Sequence, residues 1–540
     1  MNERVINERE FPRVPIPPRK RLKRRYGCGV TILILLFNSY HLLAQPQLEW
    51  QNRFDYLGGI DFPLQMKLDA NGNIFIAGIS NLDTFYNDVL TMKINADGIT
   101  EWYNLIRNDY EDMIEGLEVD TEGNCYLGGD LGNIFLEKSG FMLRYDDEGG
   151  LSWIDTTSGV NAICIDSANN IYNLCSNSNL TLIKYNMEGD ELLFFTNDTI
   201  TSFNTPWLYL LKVDDEGNIY VGGQFTSNGS NARIHIKKFS PSGELLWDVK
   251  YDPTTDWDRP RFMQVDNLGN IYLVGYTGTY EGSIIVKLDS EGEIAWDDII
   301  FAQYSFPFDL VFDSYGNPVI CMKIYEVNKG YDYMIRKYDQ EGNVIWTDYL
   351  DSAGVGTLDD IAHLTADDFG NIYFAGSLYP VAPYLNSFLM IKYDANGNRV
   401  WTYHADSLLN TSSDYPADIA LDKYNNIIVT LRSFDPFTSF DLLTLKFSDP
   451  TGVHEVQLPD HSLKVIPNPF HADAVVTTSN STLLNQASTI TINDMYGRTM
   501  KSASYYNNYQ LDRTGIPSGV YLVKVVTASG VSAVTKIIIL

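Results

Sequence analysis

Apolar and polar positions alternate in short runs along most of the chain, and each run ends at a turn rich in aspartate, glycine or asparagine. The run MKLD enters and the run IFIAG leaves a turn at Asp69 to Asn73, while runs such as YMIRKY and LMIKY lead into a second kind of turn. A period of two, bounded by turns of this composition, predicts short antiparallel strands joined as β-hairpins.

The first kind of turn occurs eight times, with an aspartate three residues before glycine or asparagine. Aspartate in a tight turn accepts bonds from amides two or three residues on, and glycine or asparagine tolerates the left-handed conformation that closes the hairpin. The spacing between copies runs from 46 to 55 residues. The eight aspartates are Asp69, Asp120, Asp166, Asp214, Asp266, Asp313, Asp367 and Asp422.

The second kind of turn follows a cation and precedes an aromatic residue. Its cations are Lys93, Arg144, Lys184, Lys238, Lys287, Lys337, Lys392 and Lys446. Its aromatic residues are Trp102, Trp153, Phe194, Trp247, Trp296, Trp346 and Trp401, with the third unit the least regular. Each unit thus holds two hairpins, or four strands, in about fifty residues, which predicts the blade of a β-propeller.

The ends of the repeat region predict how the ring closes. Leu48 to Trp50 reads as an outermost strand with no hairpin before it, whereas the last unit stops after its third strand at Lys446 and Phe447. Pairing the two completes an eighth blade and removes open sheet edges. We therefore predict an all-β fold, an eight-bladed β-propeller of 32 strands over residues 46–448, followed by a small immunoglobulin-like sandwich.

The repeat resembles the bacterial β-propeller repeat family known as SBBP. The resemblance lies in two signatures, an aspartate followed by Gly-Asn and a cation followed by glycine and tryptophan. The resemblance covers residues 46–448 and implies the propeller fold but no shared reaction.

The N-terminal residues 1–44 predict a secretory signal peptide. Residues 1–26 hold nine lysines or arginines, and the apolar run VTILILLF is too short to span a bilayer. A small residue, Ala44, places the expected cleavage before Gln45. A start codon further downstream, or retention of the segment as an anchor, stays open.

The C-terminal part changes character after a polar linker at residues 449–462. From residue 463 to 540 the repeat is gone, and runs such as TITIND and VYLVKVV alternate around Asn-Pro, Tyr-Gly and Ser-Gly turns. This pattern predicts a small antiparallel sandwich.

That segment resembles the type A C-terminal sorting domain of the Por (type IX) secretion system of Bacteroidota. The residues that carry the resemblance are Pro467, Asn468, Pro469, Asp494, Gly497, Arg498, Gly519, Val520, Tyr521 and Lys536. Ile466 stands where the family usually has an aromatic residue. The resemblance implies handling by the type IX machinery, export to the medium or the outer-membrane surface of a Gram-negative bacterium, and removal of the domain. An ordinary immunoglobulin-like domain is the alternative.

Net charge limits the kinds of partner that the chain can bind, and cysteine content indicates whether it forms disulfides. Without residues 1–44 the chain keeps 30 basic and 66 acidic residues, a net charge of −36, which repels nucleic acid but leaves divalent cations and neutral or cationic partners open. Cys125, Cys164, Cys175 and Cys321 occupy unrelated blade positions and read as buried strand residues rather than a disulfide framework or metal set. We expect a monomer.

A second set of aspartates precedes the first strand of several blades: Asp61, Asp112, Asp258, Asp359 and Asp414. Asp88, Asp332 and Asp441 similarly begin third strands. Oxygen ligands arranged around a channel would suit calcium. A residue that recurs in most blades more often caps a strand, so we predict a structural role and no cofactor, with calcium as the alternative.

Aromatic residues outside the repeat are the predicted ligand contacts, because aromatic planes beside carboxylates suit sugar rings or protein side chains. The candidates are Trp257 with Asp258 and Arg259, Tyr110 with Asp112, and Trp207. Tyr304, Tyr331, Tyr333, Tyr384, Tyr403 and Tyr415 are also placed in connections. Packing between blades is the alternative for each.

The sequence contains no histidine cluster, nucleophile elbow or phosphate-binding glycine loop. It therefore favours a secreted or surface-displayed protein that binds a glycan or protein ligand through its variable loops, without enzymatic activity. A carboxylate-based hydrolase or lyase is the first alternative, since two acids across a channel leave no signature. A structural component of the cell envelope is the second.

Overall fold

The computed structural model describes residues 45–81, 86–107, 112–132, 140–157, 159–176, 180–197, 210–225, 233–254, 257–278, 282–302, 304–326, 330–350, 362–378, 387–404, 413–435, 437–449, 464–466, 473–477, 488–494, 499–505, 508–527 and 532–539. These residues form strands, turns and loops, with no helix among them. The predicted signal peptide lies outside the described residues.

The first sixteen strands are β1 (Gln47–Phe54), β2 (Ile60–Leu68), β3 (Ile74–Asn81), β4 (Asp88–Ile94), β5 (Thr100–Ile106), β6 (Met113–Val119), β7 (Cys125–Asp130), β8 (Gly140–Tyr145), β9 (Leu151–Thr157), β10 (Ala162–Ile165), β11 (Ile171–Ser176), β12 (Leu180–Tyr185), β13 (Glu191–Asn197), β14 (Leu210–Val213), β15 (Ile219–Phe225) and β16 (Arg233–Phe239). The next sixteen are β17 (Leu245–Tyr251), β18 (Asp258–Val265), β19 (Ile271–Thr277), β20 (Gly282–Leu288), β21 (Ile294–Phe301), β22 (Phe306–Phe312), β23 (Pro318–Glu326), β24 (Gly330–Tyr338), β25 (Val344–Leu350), β26 (Ala362–Ala366), β27 (Ile372–Leu378), β28 (Ser387–Tyr393), β29 (Arg399–His404), β30 (Asp414–Leu421), β31 (Ile427–Asp435) and β32 (Ser439–Ser448).

These 32 strands form eight four-stranded antiparallel sheets within the described residues. Blades one to seven are β2–β5, β6–β9, β10–β13, β14–β17, β18–β21, β22–β25 and β26–β29, each in sequential order. Blade eight has the order β1-β32-β31-β30. The first strand of each blade contacts the first strand of the next, and β30 contacts β2, so the contacts run in a closed circle. The predicted all-β propeller of four-stranded sheets is confirmed.

Blade eight closes the ring with strands from both ends of the propeller. Leu48 pairs with Phe447 and Gln51 with Leu445, so β1 completes the sheet whose other strands lie nearly 400 residues later. The closure predicted from the two ends of the repeat region is therefore present, and β32 has a partner on both sides.

Burial follows the position of a strand in its blade. Every residue of β4, a third strand, is buried, because neighbouring blades cover both faces of the sheet. The outer strand β5 alternates between half-buried and exposed positions. The runs of Val, Ile, Leu and Tyr in the middle strands fit this environment, since strands buried on both faces are continuously apolar.

The inner strands of several blades carry a bulge directly after a proline. The pairing register shifts after Pro63, Pro260, Pro307 and Pro416. Proline has no amide hydrogen to donate and is tolerated where a strand edge faces away from the ladder, as at the inner edge of a blade. Gln65, Asp309 and Asp418, each two residues after such a proline, accept backbone amides of the neighbouring blade.

The C-terminal segment forms two sheets that share one apolar core. Its strands are β33 (Lys464–Ile466), β34 (Asp473–Thr477), β35 (Ser488–Asp494), β36 (Thr499–Tyr505), β37 (Asn508–Asp512), β38 (Gly519–Thr527) and β39 (Ser532–Ile539). The sheets have the orders β33-β34-β37 and β36-β35-β38-β39. Val476 from the first sheet and Val523 from the second lie in the same buried cluster, which is the arrangement of a β-sandwich.

The four described cysteines are free and buried. Cys164 lies opposite Tyr172 and Cys175 opposite Thr181, so the two thiols that flank one hairpin are out of register. The prediction that these residues are buried strand positions is confirmed for the described cysteines. Burial raises the pKa of the Cys175 thiol to about 11 and that of Cys125 further still.

Candidate functional site

The first repeated turn is held by its own aspartate. Asp69 Oδ1 accepts bonds from the amides of Asn71 and Asn73 at 2.8 and 2.9 Å, and Asp69 Oδ2 accepts one from the Asn73 side chain at 2.7 Å. Gly72 adopts a φ of 85° and donates to the Asp69 carbonyl. The amides bound by the carboxylate are thus two and four residues on, because the amide three residues on bonds to the backbone.

The second repeated signature joins each blade to the next. Lys287 Nζ and Trp296 Nε1 both donate to the carbonyl of Gln340, at 3.0 and 2.9 Å. Gln340 lies in the second kind of turn of the next blade, which joins its third and fourth strands and which we call the outer turn. The Trp296 ring also covers Gly342 of that turn, where a methyl group would lie 2.6 Å from the ring. The same tryptophan bond to a carbonyl is made by Trp50, Trp102, Trp153, Trp247 and Trp346.

The aromatic residue of blade three is Phe195, and the sequence-based assignment to Phe194 was wrong. Phe195 lies where a side chain at Gly243 of the next blade would be, while Phe194 is exposed. Lys184 pairs with Leu193, the position that holds tryptophan in the other blades. Side chains two residues apart share a face of a strand, so Phe195 reaches the neighbouring blade from the side of Leu193, and Phe194 points away.

Asp449 replaces a missing turn where the ring closes. Blade eight has no outer turn between its third and fourth strands, since β1 comes from the other end of the chain. Asp449 Oδ1 accepts the Trp401 indole hydrogen at 3.0 Å, and Oδ2 accepts the Tyr373 hydroxyl at 2.7 Å and forms an ion pair with Lys392. This first residue of the predicted linker thus packs within the propeller.

The aspartates at strand starts are bound within their own blades. Asp61 is buried, accepts the Tyr56 amide through Oδ2, and lies opposite the buried Ser80 of β3. Asp258 is likewise buried and accepts the Thr254 hydroxyl at 2.9 Å, and Thr254 also bonds to the hydroxyl of Thr277. Burial raises the pKa of both carboxyls. These contacts fit the predicted structural role.

The other carboxylates of this set divide between blades. Asp112 and Asp414 are buried at the starts of blades two and eight, and Asp359 lies outside the described residues. Asp88 forms an ion pair at 2.8 Å with Arg107, which directly follows β5, and Asp441 forms one at 2.9 Å with Arg53 of β1. Within the described part of the chain no group of three or more His, Cys, Asp or Glu side chains is placed to hold a metal ion.

Trp257, Arg259 and Tyr276 form a stack on the loop face, which is the face opposite the repeated turns. The Trp257 side chain is 41% exposed, and the Arg259 guanidinium carbon lies 5.7 Å from its ring centroid and 5.9 Å from that of Tyr276. Arg259 also donates to the Tyr276 hydroxyl at 3.4 Å. The structure brings Trp257 and Arg259 together and turns the buried Asp258 carboxylate away from them.

Of the other predicted contact residues, Tyr110, Trp207 and Tyr384 lie outside the described residues. Tyr304 stays in a connection and packs against Tyr325. Four tyrosines that the sequence placed in connections lie within strands, because the strands continue past the repeat signature: Tyr331 and Tyr333 in β24, Tyr403 in β29 and Tyr415 in β30. Tyr333 is fully buried and donates to the Ser377 carbonyl.

Charged groups on the inner strands form a second candidate site that the sequence analysis missed. Asp309 accepts the Leu364 amide of the next blade at 2.9 Å, and His363 Nδ1 lies 4.0 Å from the Asp309 carboxylate. Asp418 in the same way accepts the Met66 amide at 3.0 Å. These carboxylates cover inner-edge amides that have no strand to pair with.

Burial perturbs the acid–base properties of this group. Loss of hydration raises the pKa of Asp418 to about 6 and that of Glu115 to about 7. It lowers the pKa of Lys212, against the attraction of Glu118, and that of His363, against the attraction of Asp309. Lys67, 3.2 Å from Glu118, has a raised pKa because of that carboxylate. The signal in the sequence was a titratable residue two, four or five positions before the turn aspartate, whose type varies between blades.

Part of the sorting signature lies within described strands. Gly519, Val520 and Tyr521 open β38, Asp494 pairs with Tyr521, and Lys536 lies on β39. The Tyr521 hydroxyl donates to the Pro517 carbonyl at 2.9 Å. Pro467, Asn468, Pro469, Gly497 and Arg498 lie outside the described residues.

These features define an all-β propeller protein with a C-terminal sorting domain. Residues 464–540 match the family described as secretion system C-terminal sorting domain. The sorting domain indicates secretion or display at the cell surface through the type IX machinery. Among the described residues, none forms a helix long and apolar enough to cross a membrane.

Several solved structures are similar to the chain, and no curated protein matches it. A protein of unknown function from Bacteroides caccae is 17% identical, with 48% of this chain and 89% of that chain covered and a TM-score of 0.33. The β-propeller domain of the Trilobed protease from Pyrococcus furiosus is 9% identical, with 63% and 96% covered and a TM-score of 0.38. Prolyl oligopeptidase B from Galerina marginata is 9% identical, with 72% and 56% covered and a TM-score of 0.41.

Proposed function

We propose that this protein is an exported binding protein whose loop face recognises a glycan or protein ligand. The observation that carries the proposal is the stack of Trp257, Arg259 and Tyr276. An exposed indole beside a guanidinium offers an apolar plane and fixed hydrogen-bond donors in one place. The repeat residues, in contrast, are engaged in turns and contacts between blades.

The route to that location is part of the proposal. Residues 1–44 would act as a signal peptide in a Gram-negative member of the Bacteroidota, and the sorting domain would be removed after export. The repeat would belong to the SBBP type, and the mature protein would act as a monomer. Tyr110, Asp112 and Trp207 remain proposed ligand contacts, and nucleic acid is disfavoured by the charge of −36 without residues 1–44.

A glycan array probed with the labelled full chain tests the proposed site. Trp257→Ala and Arg259→Ala should each lower the signal on the bound glycans about tenfold or more, since aromatic and arginine anchors dominate such sites. Phe194→Ala is the matched control, because Phe194 is also an exposed aromatic residue but lies on an outer strand. Glycan binding that survives both substitutions would show that the site lies elsewhere.

The inner-strand carboxyls favour one alternative, a carboxylate-based hydrolase or lyase. Glu115 and Asp418, with pKa values raised to about 7 and about 6, could serve as proton donors near neutral pH. Turnover of a polysaccharide that Glu115→Gln abolishes would establish this function. A structural role in the envelope predicts neither soluble ligand nor turnover.

Calcium binding at the strand-start aspartates is a separate alternative to their structural role. If Asp61, Asp112, Asp258, Asp359 or Asp414 held calcium, a chelator would lower the thermal unfolding midpoint and added calcium would restore it. We expect no change, because Asp61 already accepts the Tyr56 amide and Asp258 already accepts the Thr254 hydroxyl, each in the connection that precedes its strand.

A further inference from the structure

The first kind of turn joins the first two strands of each blade, and we call it the inner turn. In four consecutive blades the inner turn exposes a large apolar side chain at the same backbone position. This position lies two residues after the turn aspartate. It is occupied by Leu268, Tyr315, Phe369 and Tyr424 in blades five to eight, which are 74%, 65%, 50% and 74% exposed. We call these four residues the apolar crescent. They lie on the turn face, the face opposite the stack of Trp257, Arg259 and Tyr276.

The turn itself does not require these side chains. Only the backbone amide of the residue is used, as when the Tyr315 amide donates to Asp313 Oδ1 at 2.8 Å. The equivalent positions of blades one to four hold Asn71, Glu122, Ala168 and Glu216, whose amides make the same bond in turns of the same form. Because polar and small residues serve equally well there, the formation of the turn does not explain the large apolar residues of blades five to eight.

Two contacts join turns of this kind in neighbouring blades. The Tyr315 ring of blade six lies against Gly370 in the turn of blade seven, where a methyl group would be 3.0 Å from the ring. Lys423 of blade eight reaches the Ala70 carbonyl in the turn of blade one, at 3.4 Å. These contacts hold the turn of blade six against that of blade seven, and the turn of blade eight against that of blade one.

The charges around the crescent select the kind of partner. Glu291, Glu341 and Asp368 are exposed carboxylates in the turns of blades five, six and seven. A second copy of this chain would bring the same carboxylates against them, and nucleic acid or an anionic lipid surface would be repelled. Beside the crescent, the Lys423 ammonium lies 5.4 Å from the centroid of the Tyr424 ring, so one crescent ring already has a cation next to it.

We propose that the crescent is a docking surface for a protein partner that presents arginine or lysine side chains among apolar ones. The rings of Tyr315 and Phe369 would receive cations as the Tyr424 ring receives Lys423, and the surrounding carboxylates would pair with them. This surface lies on the face opposite the loop-face site, so an experiment can refute one of the two binding proposals without affecting the other.

A labelled synthetic peptide of fourteen alternating arginine and leucine residues is the probe, and fluorescence anisotropy with the full chain is the measurement. The crescent variant carries Leu268→Asn, Tyr315→Asn, Phe369→Asn and Tyr424→Asn, the residue that blade one has at this position. We expect its Kd for the peptide to rise at least tenfold. The matched control carries Glu122→Gln and Glu216→Gln in blades two and four, and its Kd should rise less than threefold.

Equal peptide affinity of the crescent variant and the unchanged chain would overturn the proposal, because attraction to the overall negative charge would then explain binding. The proposal also fails if the crescent variant loses binding of a glutamate–leucine peptide or of maltohexaose while it keeps the arginine peptide. A dimer in sedimentation velocity that the crescent variant abolishes would overturn it in favour of self-association. Each single asparagine substitution is measured as well, so that a folding defect in the fourfold variant cannot hide the result.

Discussion

Single side chains in this protein gain their properties from position within the ring. Asp258 and Arg259 are adjacent in the sequence, yet the carboxylate is buried against threonines and the guanidinium lies beside Trp257. Alternation along a strand explains the difference, since neighbours on a strand point to opposite faces. The sequence alone suggests one site for the two residues, because it does not show which face of β18 each side chain takes.

The half-buried carboxyl of Asp418 should make stability depend on pH. Its pKa is raised to about 6 in the folded protein by burial, so the folded state binds more protons than the unfolded state between about pH 4 and pH 6. Stability from this group is therefore present at low pH and is lost as pH rises through about 6. Asp418→Asn should gain about 1–3 kcal/mol relative to the unchanged protein between pH 4.5 and pH 7.5.

Urea unfolding at several pH values measures that difference. Asp97→Asn is the control, because Asp97 is exposed in the outer turn of blade one. Its curve of stability against pH should run parallel to that of the unchanged protein. A parallel curve for Asp418→Asn would contradict the assigned pKa.

Strands and turns were largely predictable because their chemistry is local. Asp69 and Asn73 bond to each other within one turn, so their spacing alone identifies a hairpin. Contacts between blades were not predictable in the same way, because they join residues about forty-five positions apart, such as Trp296 and Gln340. The choice of Phe194 over Phe195 failed for this reason: one residue of offset decides which face meets the next blade.

The glycines of the two kinds of turn should differ in what they tolerate. Gly72 and Gly342 both have a positive φ, at 85° and 87°, so alanine at either should cost about 1 kcal/mol in backbone strain. A methyl at Gly72 would be 3.7 Å from its nearest neighbour, whereas one at Gly342 would lie 2.6 Å from the Trp296 ring. We expect Gly342→Ala to cost about 1–3 kcal/mol more than Gly72→Ala.

Thermal and urea unfolding of the two variants check this expectation, and tryptophan fluorescence reports whether Trp296 moves. Equal losses of stability in the two variants would mean that the Trp296 indole moves aside at little cost. Its contact with the next turn would then contribute little to the stability of the interface between blades.

Closure of the whole ring depends on contacts that no repeat unit contains. The sequence predicted the pairing of β1 with β32 from the count of strands at each end, but not the role of Asp449. The apolar crescent was visible in the sequence as Leu268, Tyr315, Phe369 and Tyr424, yet it has meaning only once the four turns are known to lie side by side.

Asp449→Asn should loosen the ring at its closure. Asp449 and Lys392 are both nearly fully buried, and removing one charge of such a pair costs about 3–5 kcal/mol. Asp147→Asn is the matched control, since Asp147 pairs with Lys93 between blades one and two but has a half-exposed side chain. Its loss should be below about 1 kcal/mol. Unfolding free energies in urea give both values, and losses of equal size would show that Asp449 has no special part in closure.

The pairing of the two ends also has a consequence for how the chain acquires its shape. Arg53 on the first strand and Asp441 on the last are 388 residues apart, so the earliest strand to be made has no lasting partner until almost the entire propeller exists. Contacts of such long sequence separation form slowly. The ring of the propeller therefore closes late, only once the residues directly before the sorting domain have been synthesised.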